Sequence, residues 1–523
     1  MTKKLFFINP TDISKTRTYI VLFIITLLGI MLRIYKINSL PMEMYGDIIE
    51  GYNFTQEILQ GHWPFYFVLG NGPLFFYFVA VLAKIFGLFF LTMKISSIIV
   101  GIGIIISTYF LGKELFDEET GLLCSFLVSV SKWPIIFSRL GNMPILVPLF
   151  TSLIILIALK IIKKPKQVLY WILIAILTAL GLYIYPGFFI TPFTVLLIFV
   201  LQGFLFIKKN LVKIIFSLLI FIVFSLPFLR LFFGNLQVWT SSTSYMGSKI
   251  FVSEGKLAPD WPIKIIYNIK KTIVMFYRDG YGDVSFRNNP TGQKAIDFIS
   301  GILLLIGIIT IINKEKRKKI TLLLIIVFSL MIPSIMVLNA ELDVPNMNRT
   351  IGSFPFIFLL IALGFKQLRL FIQKTTSRNI SIITISIPLV IVTILNYQMY
   401  FNNYSYSLPN HNEGFPQLIA KEVDKIENNV LIVMYGGGWG DWSQPDWRAV
   451  NYEFRQPKSY LHFEYKQLNC QFLEQKKQSI FFILNPNSPE NLNEVKECFH
   501  KGEITNYFSP IYHFPLFTSY FIK

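Results

Sequence analysis

Charge is what this sequence has least of. Asp, Glu, Lys and Arg together make up 15% of its 523 residues, against 53% hydrophobic residues and a mean hydropathy of +0.55. A soluble surface needs far more charge, so an ordinary soluble globule is excluded and a polytopic membrane protein fits. Carboxylates are missing from the interiors of the long apolar runs that fill the first 400 residues. An ion-coupled transporter normally keeps titratable groups near the bilayer midplane, so this second absence tells against that class. Arg33, Lys132 and Arg230 lie near run ends, where such side chains can snorkel. Cysteine is scarce too. Cys124 sits in an apolar run, while Cys470 and Cys498 share the polar C-terminal stretch, where a disulfide and two free thiols fit the spacing equally well.

What is present has a clear order. The net charge of +18 falls mostly in short clusters between apolar runs, such as 163–166, 208–213 and 313–319. That is the positive-inside signature of a membrane protein and not a basic groove for nucleic acid. Because a span needs about 20 residues to cross a core about 30 Å thick, the runs predict about eleven spans: 18–34, 93–111, 120–137, 143–162, 168–184, 188–207, 211–231, 296–313, 319–337, 351–368 and 379–397. The first follows Lys3, Lys4, Lys15 and Arg17 and reads as a retained signal anchor. Residues 73–90 would pass a hydropathy test as a further span. If they crossed, those four cations would lie outside, so they are expected to lie at the outer interface or re-enter. The N-terminus is then cytoplasmic, the outer loops are 35–92, 138–142, 185–187, 232–295 and 338–350, and the tail from 398 is extracytoplasmic.

The expected organisation is an all-α membrane domain, 1–397, and a small extracytoplasmic α/β domain, 398–523. In the tail, 413–428 and 488–500 read as helices and 430–435 and 479–485 as strands. The glycine-rich 436–440 follows a strand, but no helix pattern comes after it, so a structural turn is favoured over a phosphate loop.

Ionisable residues gather at the outer face. On a helix, Glu43, Asp47 and Glu50 would share one side, flanked by Met44, Tyr45, Ile48 and Ile49, surroundings that would partly desolvate a carboxylate and improve it as a base. A solvated interfacial helix with an acidic face is the plainer reading. Arg139 and Asn142 occupy a short outer loop, where an arginine also serves as a headgroup anchor. Asp283, Arg287 and Asn288 precede one span, and Glu341 and Arg349 precede another. Arginines suit a phosphate through bidentate hydrogen bonds, and carboxylates suit a hydroxyl proton or a metal.

In order along residues 15 to 400, the early Asp47, then "GHWP", "NGPLFFY", "WPIIFSR", "GDVSFRNNPTGQKAID" and "PNMNRTIGSFP" resemble the C-type (GT-C) membrane glycosyltransferases, in particular the bacterial relatives of the protein O-mannosyltransferases and of the lipid A aminoarabinose transferase. The resemblance implies a plasma-membrane enzyme. Its donor would be a polyprenyl-phosphate-linked sugar, its acceptor a protein, lipid or glycan, and membrane lipid its surroundings. It also implies Asp47 as catalytic base; on the residues themselves Glu50 is the nearest substitute, with Asp283 or Glu341 behind it. Arg139, Arg287 and Arg349 are the candidates for holding the phosphate, in a single inverting displacement. Ile48 stands where many relatives have Glu, and Asn142-Met143 where several have an acid, so a divalent metal has no clear ligand set here. The rival classes are a flippase or transporter of lipid-linked saccharides and a membrane scaffold.

Overall fold

Hydrocarbon offers no partners to backbone N–H and C=O groups, so apolar runs must satisfy them internally as helices. The computed structural model describes residues 10–67, 71–234, 245–252, 255–313, 316–375, 377–440 and 443–523. Up to residue 398 its α-helices in chain order are α1 (Pro10–Ile34), α2 (Asp47–Leu59), α3 (Leu74–Phe86), α4 (Phe90–Leu115), α5 (Glu118–Val130), α6 (Lys132–Phe137), α7 (Leu146–Lys163), α8 (Val168–Gly181), α9 (Ile190–Val200), α10 (Phe204–Gly234), α11 (Tyr245–Ile250), α12 (Trp261–Val274), α13 (Phe298–Ile309), α14 (Arg317–Ile335), α15 (Phe354–Gln373) and α16 (Arg378–Gln398). Two compact units result, one of 1–37 with 51–404 and the other of 38–50 with 405–523. The first-loop segment 38–50, expected in the membrane domain, thus clusters with the C-terminal unit.

In the first unit every predicted run falls on helix, with two local corrections. The run 120–137 is broken, because Pro134 has no N–H to give the carbonyl of Val130; the chain opens at Ser131 (φ −76°, ψ 144°) and restarts with Pro134 in the first turn of α6. The run 188–207 likewise splits at Gly203, whose φ of 89° turns the chain between α9 and α10. Among the described residues, six helices are long and apolar enough to cross a membrane. The helix α3 has 13 residues, about 20 Å, but α8 is scarcely longer at 14, so length alone does not separate them. Only 22% of the most apolar window of the α1 span and 17% of that of α10 are buried, against 67% for α4. Apolar surface on that scale turned outward is a lipid-facing surface, and the protein is a membrane protein.

Close packing depends on a pair of glycines. A Cβ at Gly307 would collide with the carbonyl of Leu360, and one at Gly364 with that of Leu303, so α13 and α15 touch backbone to backbone.

The second unit is built on a five-stranded sheet: β1 (Leu431–Tyr435), β2 (Tyr460–Phe463), β3 (Ile480–Leu484), β4 (Glu503–Phe508) and β5 (Pro515–Ile522), in the order β2-β1-β3-β5-β4. The first three are parallel and the last two pair antiparallel. Both faces are covered: Ile432 and Met434 enter one apolar cluster, Leu431, Val433 and Tyr435 the other, which is why β1 is buried along its whole length. Cys470 and Cys498 form a disulfide.

Candidate functional site

The polar residues of the first unit are organised around the loop before α13. Asp283 is buried, and its carboxylate accepts from Ser285 N (2.7 Å), Asn288 Nδ2 (3.2 Å) and Met347 N (2.5 Å). Burial pushes its carboxyl up to about 6, against the opposite pull of those donors and of Arg349. It therefore ties the 283–288 loop to the loop before α15. Deeper, Lys132 Nζ donates to Asn289 Oδ1 and to the carbonyl of Lys294, both at 2.6 Å, and Asn396 joins Lys132 N to the α13 cap Asp297. The motif residues of this loop are thus spent largely on fixing its shape.

Beside that brace is a cavity of about 240 Å³. Its walls are apolar, with Phe189, Phe193, Ile250, Ile332, Met336 and Val337 among them, and Lys249 and Arg349 are its two cations. Lys249 is held there by the end of α11, where its carbonyl accepts from Leu338 N (2.8 Å) and Asn339 N (3.0 Å). Arg349 is presented by Asn346, whose Oδ1 takes its backbone N–H at 2.9 Å. Both cations meet one carboxylate, with Asp343 Oδ2 at 2.5 Å from Lys249 Nζ and 3.1 Å from Arg349 Nη2. Asn348, one residue before Arg349, donates to the hydroxyl of Tyr185, a wall residue, at 3.1 Å, while its own Oδ1 is buried and unpartnered.

Other sequence-predicted residues serve elsewhere. Arg139 is fully buried, and its guanidinium donates to the carbonyls of Leu32, Tyr35 and Lys36 at 2.6–2.9 Å over the rings of Tyr400 and Phe401. It closes the C-terminal end of α1, a structural use of the residue expected to hold phosphate. Asn142 caps the turn at Met143 through its Oδ1. Arg287 is half-buried, and its carbonyl accepts from Tyr404. Glu341 begins a 3-10 turn, Glu341–Asp343; its side chain lies outside the described residues.

In the second unit, Glu43, Asp47 and Glu50 do not share a helix face, because α2 begins only at Asp47, after Gly46 turns the chain at φ 50°. Met44, Tyr45, Ile48 and Ile49 go inward and Asp47 is exposed, so the expected desolvation does not apply to it. Glu50 pairs with Arg448 at 2.5 Å, and Arg448 also holds Asp446. The buried acid is Glu43. It is wholly enclosed with neither oxygen hydrogen-bonded, and burial, with Glu453 and Asp446 nearby, raises its carboxyl well above the usual carboxylate range. Segment 38–50 is knitted in by Asn412, which bonds Met42 N and Ser39 O, and by Gln417, which bonds Met42 O and Glu453. Among the described residues, no group of three or more His, Cys, Asp or Glu is placed to hold a metal ion.

Residues 70–229 match the sequence model of the dolichyl-phosphate-mannose-protein mannosyltransferase family. No curated protein matches the sequence. In three dimensions the chain is similar to ArnT from Cupriavidus metallidurans bound to undecaprenyl phosphate, at a TM-score of 0.58 and 10% identity over 97% of both chains. The same protein in its apo state gives 0.58 and 9% over 97% of this chain and 98% of that one. The chain has the GT-C fold. The apo oligosaccharyltransferase of Archaeoglobus fulgidus resembles it more distantly, at 0.50 and 13% identity, over 86% of this chain and 64% of that longer one.

Within this GT-C fold the sequence drew attention to Arg349 and Asp283 but not to Lys249, Arg448 or Asp446. Lys249 is one lysine in the long stretch between α10 and α12 with no motif around it, and only the fold brings it to Arg349.

Proposed function

We propose that this protein is a glycosyltransferase that moves a sugar from a polyprenyl phosphate to an acceptor hydroxyl at the outer face of the membrane, with inversion. The observation that carries the reading is the apolar cavity with Lys249 and Arg349 among its walls, in a GT-C fold. Apolar walls suit a polyprenyl chain, and two cations suit its phosphate. The similar ArnT, whose structure holds undecaprenyl phosphate, supports the choice of ligand. In the reaction the anomeric carbon–oxygen bond to the phosphate breaks as the acceptor oxygen bonds to that carbon. The phosphate leaves with the electron pair, stabilised by Lys249 and Arg349. For the base that takes the acceptor's proton we retain Asp47, on the family resemblance and on its exposure to solvent. We further propose eleven crossings, a cytoplasmic N-terminus and an outer tail. The disulfide Cys470–Cys498 supports an oxidising compartment for the tail.

Binding of undecaprenyl phosphate to the purified protein in lipid nanodiscs tests the cavity. Lys249→Gln and Arg349→Lys should each weaken it about 10-fold or more, the worth of one charge-assisted hydrogen bond. Wild-type affinity in both variants would remove the phosphate from this cavity.

A further inference from the structure

We infer that Asp343 is a built-in occupant of the phosphate site, a carboxylate that neutralises Lys249 and Arg349 in the empty protein and must give way when the donor's phosphate arrives. The inference rests on the reading of the cavity as the donor site. Its starting point is where the donor atoms are already committed. Lys249 Nζ lies 2.5 Å from Asp343 Oδ2, Arg349 Nη2 lies 3.1 Å from the same oxygen, and Arg349 Nη1 reaches the Asp343 backbone carbonyl at 3.4 Å. Both terminal nitrogens of the arginine thus face Asp343, and the fork that would grip a phosphate is closed on it.

The charges explain why such an occupant is needed. Arg349 is 8% exposed, and both cations border an apolar cavity. Two cations that close in such surroundings repel each other and lose hydration unless an anion lies between them. Burial pushes the Asp343 carboxyl up, yet Lys249 and Arg349 outweigh it and hold it below the usual carboxylate range, so it stays ionised at neutral pH. The donor's phosphate, a diester, equals the carboxylate in charge and in free oxygens and gains its advantage from the lipid chain in the apolar cavity, while the lipid phosphate that transfer releases, a monoester, brings up to two negative charges and three oxygens, so the exchange favours the phosphate further as the sugar leaves. The carboxylate can leave at little cost in packing: it belongs to the single 3-10 turn Glu341–Asp343, in which Leu342 is 84% exposed. An empty site guarded in this way discriminates against weaker anions, which cannot displace a tethered carboxylate.

The test compares undecaprenyl phosphate and undecaprenol, the same lipid without the anion, for binding to wild type, Asp343→Asn and Asp343→Ser in nanodiscs, with thermal midpoints as a check on folding. Removing the competing charge should tighten undecaprenyl phosphate binding about tenfold, and leave undecaprenol unchanged. If folded Asp343 variants bind the phosphate lipid equally or more weakly while Lys249→Gln and Arg349→Lys still lose affinity, Asp343 is a strut for the cations; the inference then falls and the donor site stands. If the Lys249 and Arg349 variants are also indifferent, the donor site itself is misplaced and the inference goes with it.

Discussion

At the scale of single residues, the protein meets each enclosed charge differently. Arg33 is fully buried, and carbonyls of Gly29, Ser129 and Val128 and the hydroxyl of Ser138 take its donors at 2.9–3.1 Å. Asp283 is met by N–H groups, and Glu43 by nothing that hydrogen-bonds. Asp283 has a readable consequence. Its raised value means that the fold favours the protonated carboxyl, so its stabilising contribution is full below the unfolded value of about 3.9 and is lost as pH rises through about 6. Between pH 4.5 and 7.5, wild type should lose about 2 kcal/mol that Asp283→Asn does not, measured as the difference between the two thermal-midpoint curves; parallel curves would contradict it. The proposed base is tested separately. Asp47→Asn nearly preserves volume and removes proton acceptance, so turnover with a synthetic polyprenyl phosphate sugar should fall about 10² to 10⁴ fold with donor binding intact. Near-normal turnover would end the assignment.

At the scale of elements, breaks and contacts matter more than lengths. The opening at Ser131 turns the carbonyls of Val128 and Ser129 toward Arg33, so Pro134 indirectly builds a binding place for a buried guanidinium. Gly72 does comparable work in the "NGPLFFY" motif: its N–H and that of Leu74 bond to the carbonyls of Ile184 and Tyr183 at 2.9 and 3.1 Å, and any Cβ there would meet that backbone. The most sensitive contact is between α13 and α15. Gly307→Val sets a branched side chain against the backbone at Leu360 and should destabilise the first unit by about 1–3 kcal/mol or more. The Phe298→Val variant, at a 64% exposed position of the same helix, serves as control. Equal melting temperatures for the two variants would show that the helices separate freely.

For the whole molecule, the sidedness of the membrane is the expectation with most riding on it. In a background with Cys124, which is buried, replaced by serine, single cysteines at Ser14 and Ser39 should react with a membrane-impermeant maleimide from the cytoplasmic and outer sides respectively. Labelling of position 14 from outside would reverse the topology and make α3 a crossing.

The apolar runs, the helices at Phe415–Val423 and Pro489–Cys498, and the strands β1 and β3 were legible in the sequence because burial on all sides or on one stripe leaves a continuous or periodic hydrophobic signal. The edge strand β4 is largely exposed and β2 only half-buried, and neither carries such a signal. Chemistry divided in the same way. Residue types and their order pointed to Asp47, Asp283 and Arg349, since the kinds of side chain that hold phosphate or take protons are few. Their duties were not readable. Arg139 spends its donors on α1, Asp283 braces two loops, Glu43 is enclosed while Asp47 faces solvent, and Lys249 reaches Arg349 across 100 residues of chain. Composition fixes which groups exist and which segments must leave water. Which carbonyl, carboxylate or cavity each group meets is set by helices packed from distant parts of the chain, and only the tertiary structure decides it.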